Sequence, residues 1–375
     1  GAFCGLVLLL VAGAFLFWNE GRSVQRYKDL AEGAGAVVSI ASEKVDPATE
    51  GKLVHLTGET RVSAPLVDRQ FGISLPAVRL IRQAEMYQWV EEVTTTRREN
   101  KVGGGSETVK TYTYEKKWQG SPVDSSQFKQ PGDHRNPTEM KYRSATVTAE
   151  TVSLGAFTLP SFLVSKIGGA QPLAVGSLEN ASEEVRSAGR VSNGLVYFGT
   201  DPAVPAVGDI RVRFSSVPTG PVSVVAQQSG STFVPYRART GGSVDLLEPG
   251  TVAAADMFQM AEGRERMLAW AIRIGGFVVF GVAFSLMLKP LAVFASFLPF
   301  LGRIVETGTL IVAFLLAAIL WCLIVSFAWI WYRPLLGIAI LLVTVALIVL
   351  LVRRGHRPAS PPRVPAFSDT PPPLA

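Results

Sequence analysis

Thr307–Trp331 reads TGTLIVAFLLAAILWCLIVSFAWIW, a run of 25 residues without a charged side chain. As an α-helix this run is about 37 Å long, which exceeds the hydrocarbon core of a bilayer at about 30 Å. In lipid only a helix or a closed barrel satisfies every backbone polar group. Trp329 and Trp331 stand at its end, where amphipathic rings meet the headgroups. We therefore predict a transmembrane helix over 307–331.

A second span is predicted at 334–352, stopped by Arg353 and Arg354. The turn Tyr332-Arg333-Pro334 joins it to 307–331, since proline is tolerated in the first turn of a helix. The tail, 353–375, is rich in proline and is predicted to be a disordered cytoplasmic segment.

Upstream, 267–288 forms a span that includes Arg273. We interpret this arginine as reaching back to the interface from near the helix end. A functional intramembrane charge is the alternative. Within the segment 289–306, the apolar run Leu291–Gly302 has about 12 residues and contains Pro299. This run is too short to cross, so we predict that 289–306 lies in the interface or re-enters the membrane.

The N-terminal segment 1–18 is apolar and ends in Phe17-Trp18. Ala12-Gly13-Ala14 resembles a signal-peptidase site, which would make this segment a cleaved signal. Because the apolar run continues past that site, we favour a membrane anchor.

These features predict a multi-span α-helical membrane protein with one N-terminal and three C-terminal transmembrane helices. A large β-rich (α+β) extramembrane domain occupies 19–266. Basic residues favour the cytoplasmic side of a membrane. In the C-terminal block, six lie on the tail side, against two on the loop side: Lys289, Arg303, Arg353, Arg354, Arg357 and Arg363, against Arg273 and Arg333. We therefore expect a cytoplasmic tail and an exterior or lumenal domain, although Arg22, Arg26 and Lys28 favour the opposite orientation.

The central domain contains a predicted long hairpin, with arms at Glu85–Arg97 and Glu107–Trp118 and a Gly-rich tip. Tyr87 and Trp89 share one face of the first arm, and aromatic residues of the second arm face them. We interpret these rows as packing; ligand stacking is the alternative. Further strands are predicted at Ala34–Ile40, Lys52–Thr57 (ended by Gly58), Ser144–Val152, Arg190–Phe198, Asp209–Val217, Val222–Gln228 and Thr232–Ala238, and helices at Pro160–Ile167 and Asp256–Arg273.

The sequence predicts no catalytic, cofactor-binding or metal-binding residue. His134 stands near Asp133 and Glu139, so an acid/base or metal group is conceivable, but we favour a polar turn. Cys4 and Cys322 lie in apolar runs, which excludes a disulfide framework and a cysteine-based zinc site. The net charge of +6 arises beside the apolar runs of the last third and is not clustered on a folded face, so we expect no nucleic-acid binding.

Several segments together resemble the transmembrane protein 43 family, also called LUMA: Phe17–Arg22, Glu50–Gly58, Arg82–Glu91, His134–Pro137, Gly208–Phe214 and Tyr332–Leu336. The motif residues, which we expect to be mainly structural, are Trp18, Asn19, Glu20, Gly21, Arg22, Gly51, Lys52, Leu53, Glu85, Tyr87, Trp89, Asn136, Pro137, Gly208, Asp209, Tyr332, Arg333 and Pro334.

The resemblance implies one N-terminal span, a large lumenal or exterior domain and three C-terminal spans. It also implies a non-enzymatic scaffold that self-associates and organises unidentified membrane proteins, with the domain binding protein or lipid. The expected location is the endoplasmic reticulum or inner nuclear membrane of a eukaryote, or the cytoplasmic membrane of a bacterium. A transport or channel component is the alternative, and a membrane-tethered hydrolase built on His134 and Glu139 is a third hypothesis.

Overall fold

The computed structural model describes residues 2–99, 106–295, 302–332, 338–339 and 342–349. The chain divides into two compact units. The helical unit comprises 1–28 and 262–375, and the β unit comprises 29–261.

The described helices of four residues or more include three long ones and two short ones. In chain order, they are α1 (Ala2–Ala36), α2 (Ser161–Val164), α3 (Glu183–Ala188), α4 (Ala254–Ala295) and α5 (Gly302–Tyr332).

Three helices in the described residues are long and apolar enough to cross a membrane: residues 2–36, 254–288 and 308–331. They confirm the predicted N-terminal span and the first two C-terminal spans. Of the predicted fourth span at 334–352, the structure describes 338–339 and 342–349, which are helical. A fourth spanning helix is therefore not shown and stays a prediction, and the predicted tail lies outside the described residues.

The helix boundaries differ from those predicted. The helix α1 continues to Ala36, so the strand predicted from Ala34 is reduced to Val38–Ser39. The helix α4 begins at Ala254 and continues to Ala295, through the first part of the segment predicted to be an interfacial loop. The extension has a physical reason. After Lys289 and Pro290, residues 291–295 are all apolar and contain no proline; the next helix-breaking proline is Pro299.

Inside the helical unit, α4 runs antiparallel to both α1 and α5. Gly5, near the start of α1, lies against Ala283, whereas Glu20, near the middle of α1, contacts Arg273. A shared apolar cluster has Leu16, Phe280, Ala317 and Val325 at its centre. Gly281 allows a close approach, because a Cβ built on it would lie 2.5 Å from the ring of Phe314.

The β unit contains eighteen strands in the described residues: β1 (Val38–Ser39), β2 (Leu53–Val62), β3 (Leu66–Asp68), β4 (Ile73–Leu75), β5 (Ala77–Glu99), β6 (Ser106–Gln119), β7 (Ala145–Thr148), β8 (Val152–Leu154), β9 (Phe157–Leu159), β10 (Gln171–Leu173), β11 (Arg190–Ser192), β12 (Leu195–Phe198), β13 (Ile210–Pro218), β14 (Pro221–Ser229), β15 (Thr232–Val234), β16 (Tyr236–Arg237), β17 (Ser243–Val244) and β18 (Leu246–Pro249).

These strands form two main sheets, each with its own apolar core. The first has the order β15-β14-β2-β8-β9, with β1 beside β2 and β18 beside β14. The second has the order β11-β12-β13-β5-β6, with β10 beside β13 and β7 beside β5. Val224 and Phe157 belong to the core of the first sheet, and Phe71 and Phe214 to that of the second. The β-rich prediction is thus confirmed.

Several predicted strands have different limits. The strand β2 runs through Gly58, which was expected to end it. Glycine is needed there because a Cβ would lie 2.8 Å from the Ser42 hydroxyl oxygen. The run Ser144–Val152 divides between β7 and β8, which belong to different sheets. The run Arg190–Phe198 is a hairpin that turns at Asn193-Gly194, both with positive φ. Thr232–Ala238 likewise divides into β15 and β16, and the helix predicted at Pro160–Ile167 covers only α2.

We predict that Gly281→Leu destabilises the packing of α4 on α5. Overpacking of this kind costs about 1–3 kcal/mol. Gly275 provides a matched control on the same helix, because a Cβ there meets nothing within 4 Å. Thermal unfolding in detergent should show a lower Tm for Gly281→Leu than for Gly275→Leu. Equal Tm values would mean that close approach at Gly281 is unimportant.

Candidate functional site

Most of the described motif residues fall into two clusters. Trp18, Asn19, Glu20, Gly21 and Arg22 belong to the helical unit, and we call their surroundings the charged centre. Glu85, Tyr87, Trp89, Asn136, Pro137, Gly208 and Asp209 belong to the β unit, around the point where β5 and β6 leave the sheet, which we call the arm base. Arg333 and Pro334 lie outside the described residues, and Tyr332 ends α5.

The charged centre is built on a buried ion pair. Arg273 donates from Nε and Nη2 to the two carboxylate oxygens of Glu20, each at 2.7 Å. Glu20 is fully buried and Arg273 is 8% exposed. The parallel geometry of two donors on two acceptors is the strongest arrangement that a guanidinium and a carboxylate can form.

Tryptophan side chains hold this pair in place. The indole nitrogen of Trp329 donates to Glu20 at 2.6 Å, and that of Trp321 donates to the carbonyl oxygen of Arg273 at 2.9 Å. The Arg273 guanidinium also lies over the rings of Trp270 and Trp329, at 5.1 and 5.3 Å from their centroids. The pair is therefore hydrogen-bonded and covered by aromatic surface, which is what a buried charge requires.

Arg273 thus departs from the interpretation made from the sequence. Its side chain does not extend along α4 to solvent, because the Glu20 carboxylate on the neighbouring helix α1 neutralises it. Arg22 extends the network by donating to the Asn19 side chain at 3.3 Å and to Glu265 at 3.0 Å. Trp18 instead points outward and is 58% exposed.

A cavity of about 310 Å³ opens beside the ion pair. Glu20, Arg273, Trp270 and Trp329 form part of its wall, together with Ser23 and Arg266. Its volume lies at the lower end of the range for small-molecule sites, which begins at about 300 Å³.

At the arm base, the long strand β5 passes from sheet pairing to hairpin pairing. The strand β13 pairs with β5 as far as Met86. At Tyr87 the backbone still pairs with the neighbouring loop: its N–H donates to Asp209 at 2.8 Å, and its carbonyl accepts from Gly208 at 2.8 Å. Gly208 adopts φ +100°, which favours glycine.

Two residues further along the same edge, the side chain of Asn136 takes the place of a strand. Its amide oxygen accepts from Trp89 N–H at 2.7 Å, and its amide nitrogen donates to the Trp89 carbonyl at 2.9 Å. It also donates to the Val123 carbonyl at 3.2 Å. Asn136 therefore satisfies both polar groups of the Trp89 backbone and fastens the 120–136 segment to the arm.

The aromatic rows pack within the chain. Tyr87 packs on Trp118 with centroids 5.2 Å apart, and Arg211 lies 4.3 Å above the Trp118 ring. His134 stacks on Tyr114 at 3.8 Å and meets the Trp89 ring edge-on at 4.7 Å. The packing interpretation fits these contacts, since the chain itself covers the rings proposed for ligand stacking.

His134 fits the polar-turn interpretation rather than a catalytic or metal group. Its Nδ1 lies 2.9 Å from the Gln130 carbonyl oxygen. In the part of the chain that the structure describes, no three His, Cys, Asp or Glu residues are placed to hold a metal ion. These contacts do not test the hydrolase hypothesis at His134 and Glu139, which stays a prediction.

Further motif residues link neighbouring strands. Glu85 accepts from Arg211 and Arg213, each at 2.7 Å, on the adjacent β13. Asp209 accepts from the Tyr197 hydroxyl at 2.5 Å. Burial, followed by this hydrogen bond to a carboxylate, raises the pKa of Tyr197 far above its ordinary value. Tyr197 is therefore a neutral donor at every physiological pH.

The other motif group lies at the start of β2. Gly51 adopts φ +73° and donates to the Gln228 carbonyl at 3.1 Å, and Lys52 accepts from Gln228 N–H at 3.0 Å. Leu53 begins β2 and is buried. These residues therefore start the pairing of β2 with β14.

Sequence reasoning missed three residues that complete these clusters. Trp321 lies within the apolar run 307–331, and Trp329 was predicted to meet the headgroups at its end; a hydrogen bond to a buried ion pair was predicted for neither. Tyr197 lies on a predicted strand, where nothing local indicates its carboxylate partner. For the tryptophans the available signal was an uncompensated intramembrane arginine, which requires polar partners nearby.

The chain is similar to known proteins over nearly its whole length. The family model described as Transmembrane protein 43 matches residues 86–334. Proteins called Transmembrane protein 43 from rat and human are each 34% identical to the chain, with 96% of this chain and 90% of theirs covered. A fruit-fly protein called Transmembrane protein 43 homolog is 31% identical, with 91% of each chain covered. No solved structure matches.

We predict that removing one partner of the buried ion pair destabilises the protein more than replacing both partners by uncharged residues. Glu20→Gln leaves Arg273 buried without a countercharge, which costs about 3–5 kcal/mol. In the double variant Glu20→Gln/Arg273→Met no charge is left uncompensated, so it should be more stable than Glu20→Gln alone. Thermal unfolding of both variants in detergent measures the difference. A double variant less stable than the single one would contradict the assignment.

We also predict that Asn136→Ala destabilises the β unit by about 1–3 kcal/mol, because the Trp89 backbone loses both partners. Asn180, an exposed asparagine in a turn, provides the control Asn180→Ala. Limited proteolysis followed by mass spectrometry should show earlier cleavage within 120–136 in Asn136→Ala only. Unchanged cleavage would show that this segment is held by other contacts.

Proposed function

Because the chain belongs to the transmembrane protein 43 family, we propose that it is a non-enzymatic, self-associating scaffold of a membrane. Three spanning helices make it an integral membrane protein. The finer arrangement is part of the proposal: a fourth span at 334–352, an exterior or lumenal β unit and a cytoplasmic tail. The asymmetry of basic residues supports that orientation.

The observation that carries the proposal is an unprotected strand edge on the hairpin arm. Beyond the arm base, β5 and β6 pair only with each other among the described residues. The segment 93–99 is about 23 Å long as a strand. Isolated two-stranded hairpins are at best marginally stable in water. Pairing with a further strand would therefore stabilise the arm.

The composition of the arm supports the same conclusion. Native proteins protect exposed strand edges with charged residues, proline or bulges. Here four successive residues, Val93-Thr94-Thr95-Thr96, carry none of these and are β-branched and exposed, and the charged residues Arg97, Arg98 and Glu99 follow them. The edge that Asn136 covers at Trp89 continues past Glu91 into this segment. It is suited to accept an extended strand by main-chain hydrogen bonding.

We assign a second copy of the same chain as the occupant of this edge. Two identical edges pair antiparallel about a two-fold axis, so each copy supplies and receives the same hydrogen bonds. Other membrane proteins would then be gathered around the dimer by the rest of the β unit.

A transport role is less well supported. Intramembrane charges often mark transport pathways. In this chain Glu20 and Arg273 neutralise each other and bind two tryptophans. We therefore assign the pair to helix assembly.

We predict that shortening the arm abolishes self-association. Residues 94–111 are replaced by Asn-Gly, which joins Val93 to its cross-strand partner Tyr112 in a hairpin turn. The arm base keeps its packing, so the variant should unfold at nearly the same temperature. Light scattering in detergent should show a dimer for the full chain and a monomer for the shortened one.

The matched control removes only the tip. Replacing residues 100–105 by Asn-Gly keeps every pair between β5 and β6, down to Glu99 with Ser106, and should leave the dimer intact. A monomeric full chain would refute self-association. A dimer that persists without the arm would show that the interface lies elsewhere in the chain.

A further inference from the structure

The cavity beside the ion pair has an excess positive charge. Two arginines and one glutamate line it, and Arg273 is already neutralised by Glu20. The remaining charge is that of Arg266, which is exposed, donates from Nε to the Tyr27 hydroxyl at 3.4 Å and is attracted to the Glu262 carboxylate. Glu262 is one turn away on the same helix but does not line the cavity. The cavity therefore favours an anion.

Polar groups suited to an oxyanion stand beside that charge. Ser23 of α1 lines the cavity and carries a hydroxyl group, and so does Tyr27, whose hydroxyl donates to the Glu262 carbonyl at 3.4 Å. A guanidinium with neighbouring hydroxyls is a common arrangement for phosphate, because its planar donors match two phosphate oxygens.

The position of the cavity indicates where the anion comes from. Trp270 lines the cavity and is 51% exposed, and Trp18 and Trp331 are also exposed on the neighbouring helices. Exposed tryptophans of spanning helices mark the headgroup level of a bilayer. The phosphates of phospholipids lie at the same level.

An apolar ridge leads away from the cavity along α4. Counting in steps of four from Arg266 gives Trp270, Ile274, Val278 and Val282, all exposed. Residues four apart form a continuous ridge on a helix. From Trp270 to Val282 the ridge rises about 18 Å, which is somewhat more than one leaflet of the hydrocarbon core. Along this ridge a guanidinium is followed by an indole and then by aliphatic groups.

We propose that this cavity binds the phosphate of an anionic membrane phospholipid, with Arg266 as the main phosphate ligand and an acyl chain along the α4 ridge. The order of groups on the ridge corresponds to the order of chemistry in such a lipid, from charged headgroup to hydrocarbon. The ion pair forms the rigid inner wall and is not itself a phosphate ligand. This inference is independent of the arm and of self-association.

The test uses the full chain, purified in detergent and titrated with phosphatidylglycerol or phosphatidylcholine, with bound lipid counted by native mass spectrometry. We expect tighter binding of phosphatidylglycerol. Arg266→Gln should weaken it about ten-fold, since losing one charge-assisted hydrogen bond costs at least about 1.4 kcal/mol. Arg264→Gln is the matched control: it removes an exposed arginine of α4 outside the cavity and should leave binding unchanged.

Three results would overturn the proposal. Equal affinity for the two lipids would remove the role of net charge. An equal loss in Arg264→Gln would reduce the effect to general surface charge. Displacement of phosphatidylglycerol by millimolar inorganic phosphate would identify a soluble anion as the ligand. The arm-shortened chain should bind lipid as the full chain does, so failure here and failure of the scaffold proposal are distinguishable.

Discussion

The bidentate contact between Glu20 and Arg273 fixes the arrangement of the helical unit. Helices in lipid gain little from hydrophobic burial against each other, so packing and polar contacts determine how they associate. A buried charge that loses its partner is costly. A slip of one helical turn, about 5.4 Å, would separate the two groups. The pair therefore defines one register of α1 against α4, and Trp321 and Trp329 extend that constraint to α5.

In the β unit, polar side chains have a comparable role at the point where strand pairing in the second sheet ends. Pairing by β13 ends beside Tyr87, and the Asn136 amide then serves the backbone of Trp89. Gln88 does the same for the segment after β6, bonding to Ser121 and Val123. At the arm base, hydrogen bonds from the side chains of Asn136 and Gln88 thus take the place of strand pairing, and β5 has no such partner beyond it in the described residues.

Features with a local signature could be predicted from the sequence. The uninterrupted apolar run at 307–331 identifies a span, and alternating aromatic residues identify the arms of the hairpin. Asn193-Gly194 carried an equally local hairpin signal that was overlooked. Gly58 was misread as a strand end, because its role depends on Ser42 approaching from elsewhere. Contacts between distant segments, such as Glu20 with Arg273, could not be predicted, since no property of either segment specifies its partner.

The order of pairing in the first sheet has a consequence during synthesis. The central strand β2 pairs with β14, and Gly58 lies opposite Val222. A ribosome adding about 5–20 residues per second needs roughly 8–33 s to produce the intervening stretch. During that interval α1 and β2 have already been synthesised, but the edge of β2 that pairs with β14 has no partner. The nascent chain therefore passes through a prolonged stage in which an unpaired strand edge is open to misassembly.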